Sequence, residues 1–135
     1  MKVIAYGDIM DGGTSVFTSV AKIDGDELLV NFEGAIRIDN PYNHLRPYLD
    51  QLNDTLGSFG VRKTKLDFTK LGFCNSNGFY VIMDLTEVIY EHTDGDILVI
   101  RLREDDWQQE TLPILIDIDD PAIAARTSFE DRQIL

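Results

Sequence analysis

The sequence predicts an α/β fold: an open mixed sheet of about four to five strands with helices mainly on one face. Three observations lead there. Residues 16–23 and 28–36 are strand-like segments flanking the turn Asp24-Gly25-Asp26-Glu27, so they read as a hairpin. Helical and strand-like periodicities then alternate along the chain, the pattern of parallel strands joined by crossover helices. The length, 135 residues with 44% hydrophobic, suits one domain spanning 1–135 with its own core.

The elements follow in order. Residues 1–15 contain Gly7, Gly12 and Gly13 and read as a weakly structured extension, with at most a short added strand over Val3 to Tyr6. After the hairpin, Asn40-Pro41 is a helix-start signal. Leu45, Leu49, Leu52 and Leu56 recur at helical spacing until Gly57 and Gly60. Pro47 falls inside that pattern, so either the helix kinks there or its regular part begins nearby. Thr64 to Leu71 reads as a strand and residues 72–78 as a loop. Phe79 to Tyr90 is an almost wholly apolar helix, with Phe79, Ile82, Met83, Thr86 and Ile89 on the stripe that packs on the sheet. Ile97 to Leu102 is apolar at nearly every position and reads as a central strand. Asp106 can cap a helix through Trp107, Glu110, Leu112 and Leu115; Pro113 competes with it, and a strand over 112–118 is the alternative. Residues 121–135 form the tail, beginning with a helical turn at Asp120-Pro121 and ending loose.

Composition excludes several function classes. Twelve basic and 24 acidic residues leave a formal charge of −12, a poor match to nucleic acid or to an anionic membrane surface. No apolar run reaches membrane-span length, and Gly7 and Asp8 interrupt the N-terminus before a signal core forms, so a cytoplasmic protein is expected. Cys74 is the only cysteine, which leaves no internal disulfide and no Cys-rich metal site. The acids are concentrated between Asp94 and Asp120, where only Arg101 and Arg103 oppose them. The sign reverses around Arg62, Lys63, Lys65 and Lys70.

Catalytic patterns are absent. Neither His44 nor His92 is placed as a base for a nucleophile, and Cys74 reads as a buried structural thiol. The run Asp117-Ile118-Asp119-Asp120 lacks the glycine and distal glutamate of a calcium loop. Neither an enzyme activity nor a cofactor nor a metal is expected. The distinctive segment is Asn75-Ser76-Asn77-Gly78, between a buried strand and an apolar helix. One of Asn75, Ser76 and Asn77 caps that helix. A helix N-terminus also tolerates an added dianion, so a phosphate on Ser76 would change the local charge without unfolding the chain.

The segment from Leu66 to Phe79, with Asn75-Ser76-Asn77-Gly78 after an apolar strand and before an apolar helix, resembles the core motif of STAS domains, the anti-sigma-factor antagonist family. Ser76 aligns with the family's phosphorylated Ser or Thr and Gly78 with its glycine; the family's usual Asp is Asn75 here. The Pro-bearing stretch Leu45-Arg46-Pro47-Tyr48-Leu49 resembles the first helix of small bacterial STAS-like regulatory phosphoproteins.

The resemblance implies a partner switch. A serine kinase of the histidine-kinase-like ATPase fold would phosphorylate Ser76, and a metal-dependent serine phosphatase would reverse it. One phosphoform would engage a downstream output protein. Lys63, Lys65 and Lys70 are candidate partner contacts beside the loop. The alternative keeps the fold without the phosphate, as a protein-binding scaffold or small-ligand sensor.

Overall fold

A computed structural model describes residues 1–133. Its first element corrects the expectation of a weakly structured start. Gly12 and Gly13 both have positive φ, 59° and 83°, and Asp11 pairs directly with Thr14. That is a two-residue hairpin turn whose twist suits the strands on either side. It folds β1 (Lys2–Asp11) antiparallel onto β2 (Thr14–Asp24), so a full ten-residue strand replaces the extension. The second hairpin forms as expected: β2 runs antiparallel to β3 (Glu27–Ile36).

The remaining strands are parallel. β4 (Lys63–Cys74) lies on β3, β5 (Asp96–Leu102) on β4, and β6 (Thr127–Arg132) on β5. The sheet therefore has six strands in sequence order, not four to five, and β5 is an interior strand as its composition predicts. The sixth strand also corrects the expected loose tail. Within 121–135, α4 (Pro121–Ala124) is followed directly by β6. The final residues 134–135 lie outside those described.

The crossovers are α1 (Tyr42–Thr55), α2 (Ser76–His92) and α3 (Asp106–Ile116) followed by α4. Each moves one strand further in the same direction. Right-handed crossovers of that kind place every helix on the same face. Pro47 sits inside α1 on its exposed side, so the single backbone bond it removes leaves a carbonyl that water can reach. A 3₁₀ turn, Leu56–Phe59, and Gly60 then close that segment. The helix alternative is correct for α3, with Pro113 accommodated in its last turn.

The core lies between the helices and the sheet. Leu28, Val30, Phe32, Leu66, Phe68, Ile97 and Val99 come from alternate strand positions and are buried beneath Leu45, Leu52, Ile82, Leu85 and Ile89. The Phe32 and Phe68 rings stack with centroids 4.4 Å apart across β3 and β4. Tyr48 of α1 lies against Gly7 and shares a buried hydrogen bond with the Ser19 hydroxyl, 2.8 Å away. The helical stripe differs in detail from the expected one. Val81 and Leu85 are buried, while Met83 turns outward.

The sheet needs help where β4 and β5 part. Their pairing ends at Asp67 and Ile100, although both strands continue. Gln108 of α3 is fully buried at this gap. Its amide donates to the Phe68 and Leu71 carbonyls at 2.9 and 3.1 Å, and its oxygen accepts from the Leu102 N–H at 2.7 Å. The neighbouring Gln109 donates to the Leu102 carbonyl and to Asp131 on β6, both at 2.9 Å. Arg101 forms a two-pronged bond to the same Asp131 carboxylate and lies over the Phe129 ring, 4.2 Å from its centroid. These bonds from Gln109 and Arg101 hold the Asp131 pKa below the usual carboxylate value.

Gln108→Leu keeps the side-chain bulk and removes three buried hydrogen bonds. We expect a loss of about 3 kcal/mol in urea unfolding, because buried polar groups left unpaired cost about 1–3 kcal/mol each before the structure relaxes. Gln109→Ala, at the half-buried edge, should cost less than about 1 kcal/mol by the same measure.

Candidate functional site

The segment singled out by the sequence sits where β4 ends and α2 begins. Cys74 is the last residue of the strand and Ser76 the first of the helix, so the expected seven-residue loop contracts to Asn75 alone. Asn75 has an extended backbone, and its side-chain oxygen accepts from the Gly78 N–H at 2.9 Å. It is therefore the N-cap, and Ser76 and Asn77 are not. Its amide nitrogen donates to the Ile38 carbonyl at 3.0 Å, and its backbone N–H donates to the Ile36 carbonyl at 2.9 Å. A carboxylate at this position could keep the cap but could not donate to Ile38.

This arrangement leaves Ser76 free. Its side chain is exposed, and among the described residues its hydroxyl makes no hydrogen bond. The Gly78 N–H is taken by the cap and the Phe79 N–H by the Asn75 carbonyl. The Ser76 and Asn77 N–H groups belong to the first turn, which has no intrahelical partners. An exposed hydroxyl, two open donors and the positive end of a 17-residue helix therefore coincide.

Gly78 is buried directly beneath the turn. A Cβ there would lie 2.5 Å from the Cys74 sulfur and 2.9 Å from Cγ2 of Ile36. The requirement is space, since Gly78 is not among the residues with positive φ. Burial pushes the Cys74 thiol up to about 12, far from a reactive thiolate and in keeping with a structural role.

The three lysines are not gathered around this turn. Lys63 and Lys65 alternate with buried Thr64 and Leu66, so they face away from the helices. They also stand near the start of β4, roughly 30 Å along the strand from its end at the usual rise per residue. Lys65 pairs with Glu27 at 3.7 Å, and Lys70 stands opposite Glu33 in the register. A nearer cation is Arg37, which sequence reasoning passed over. It lies between Ile36 and Ile38, whose carbonyls hold Asn75, and its guanidinium covers the exposed Phe73 ring at 4.3 Å. No local pattern marks Arg37, because β3 and the end of β4 meet only in the folded sheet.

The remaining chemistry is sparse. His92 contacts Asn53 at 3.1 Å across α1 and α2, and His44 is exposed on α1. Among the described residues no group of three metal-ligating side chains converges, and no helix is long and apolar enough to cross a membrane. No protein-family model matches the chain, and no curated protein matches it.

Two outcomes test this geometry. Gly78→Val should lose about 2–3 kcal/mol in urea unfolding, the usual range for overpacking a filled site. Cys74 should resist iodoacetamide at pH 8 in the native protein and react promptly once unfolded; equal rates in the two states would show an accessible thiol.

Proposed function

We propose that this chain is a cytoplasmic partner-switching regulator of STAS type, in which phosphorylation of Ser76 decides which partner is bound. The observation that carries the reading is the division of labour at the start of α2. Asn75 does the capping, so the Ser76 hydroxyl is exposed and has no structural task. The strand–turn–helix setting agrees with the Leu66 to Phe79 resemblance, and the alternation of helices with parallel strands agrees with it more broadly.

The kinase in this reading is a serine kinase of the histidine-kinase-like ATPase fold, and a metal-dependent phosphatase opposes it. A phosphate would bring a charge of about −1.5 to −2 to the exposed first turn. The helix dipole and open N–H groups offset that charge by about 0.3–1 kcal/mol, so the fold persists while the contact surface changes. An output protein that docks over Asn75, Ser76 and Asn77 would then be released by repulsion and desolvation. The chain itself needs no catalytic group for this task.

Intact-mass spectrometry with site mapping, on protein from growing and starved native cells, tests the switch. Partial phosphate on Ser76 that varies with growth state is the expected result. An unmodified mass in both states favours the scaffold or sensor. Ser76→Asp should change stability by less than about 0.5 kcal/mol, as an exposed site should, yet weaken capture of the partner bound by the unmodified chain. Unfolding of that variant would assign Ser76 a structural role.

A further inference from the structure

A groove of about 620 Å³ runs between the second half of α2 and the segment from the end of α3 into α4. Its floor and lips are largely apolar. Met83 is 40% exposed and Ile114 73% exposed, and Ile123 of α4 lines the same groove. Both Met83 and Ile114 are large side chains left uncovered beside one cavity. Glu87, Glu91 and Asp117 line the same groove. Asp119 and Asp120 follow in the α3–α4 junction, where Asp120 accepts from the Ala122 N–H; Asp84 of α2 is instead bonded to the Tyr42 hydroxyl.

The one cation in the lining is Arg126, and it is already engaged. Its guanidinium donates to the Tyr90, Thr93 and Gly95 carbonyls at 2.8–3.0 Å, closing the C-terminal end of α2. It offers no free fork to an anionic ligand. An open apolar channel whose only free charged groups are carboxylates along its borders suits an anionic small molecule poorly, since nothing there would fix its orientation. It suits a helix that carries apolar anchors on one stripe and Lys or Arg beside them.

We propose that this groove docks a basic amphipathic helix of a partner protein. Charge complementarity selects that occupant: the acids repel an acidic segment or a second copy of this chain, whose formal charge is −12. Met83 and Tyr90 offer apolar surface two turns apart on one face of α2, with Glu87 and Glu91 beside them to meet basic flanks. Met83 lies roughly 10 Å along the helix from Ser76. The proposal does not rest on the phosphorylation of Ser76, and it holds for the unmodified chain.

The test uses the full unphosphorylated chain, ¹⁵N-labelled, with two synthetic 14-residue helical peptides. Both carry leucine at i, i+3, i+7 and i+10; one has lysine flanks and the other glutamate flanks. The lysine peptide should bind at least tenfold more tightly. Its amide shift changes should centre on residues 83–91 and 114–126, and affinity should fall with added salt. Two variants on exposed positions then separate docking from bulk attraction. Glu87→Lys with Glu91→Lys should abolish binding. Ile114→Glu should weaken it at least fivefold although it adds a negative charge, whereas simple electrostatic attraction would strengthen. The proposal is overturned by absent binding, by equal binding of the two peptides, by stronger binding to Ile114→Glu, or by shift changes centred on the Ser76 turn. Peptide-free shift changes at the groove that grow with protein concentration would assign it to a second copy and overturn the proposal as well.

Discussion

The buried amide of Gln108 is the contact on which the rest of the architecture depends. A parallel sheet whose central strands diverge exposes backbone groups in the middle of its core, and these are costly to leave unpaired. β4 and β5 diverge after Asp67 and Ile100, and one side chain from α3 bridges the gap on both sides. Gln109 repeats the device one strand further on, joining β5 to β6 through Leu102 and Asp131. Two adjacent residues of a short helix thus set where β4, β5 and β6 sit relative to one another. They also fix the height of α3, and with it one wall of the groove beside α2.

The divergence has a second consequence. Because β4 runs on to Cys74 while paired only with β3, the start of α2 is held by the β3 side of the sheet. The carbonyls of Ile36 and Ile38 bind Asn75 through its backbone and its side chain. Gly78 permits this approach by leaving room for the Cys74 sulfur and Ile36. Cap, close contact and buried thiol form one rigid support, and the Ser76 hydroxyl projects from it without contributing to it. A charge added at an exposed hydroxyl on such a support would alter the local surface without altering its shape.

Charge is divided between the two faces of the sheet. On the open face, lysines and acids alternate and face one another, as Lys65 and Glu27 do, and as Lys70 and Glu33 do across the register. The net negative charge therefore resides elsewhere, much of it on α2, on α3 and at the α3–α4 junction. A linear count of charge shows a basic segment at 61–70, but folding places β3 acids beside it and removes its separate character. The acids of α2 and of the α3–α4 junction have no such opposing strand.

Local sequence determined much of this protein. Alternation and turn chemistry defined the β2–β3 hairpin, apolar periodicity defined α1 and α2, and the continuous apolar run marked β5 as interior. The Asn-Ser-Asn-Gly segment was legible as a helix start because capping is a short-range interaction. β1 was legible in principle, since Gly12-Gly13 is a hairpin turn, but glycine reads equally as looseness when the partner strand is not considered. β6 carried no such signal: Thr127 to Arg132 is polar and becomes a strand because Arg101, Phe129 and Asp131 meet across the sheet edge. Tertiary structure alone decided which of three residues caps α2, where the lysines and Arg37 lie, and how α2, α3 and α4 enclose a groove. Each depends on residues tens of positions apart, and the spacing of side chains along a chain does not encode which of them meet once non-local backbone groups seek partners.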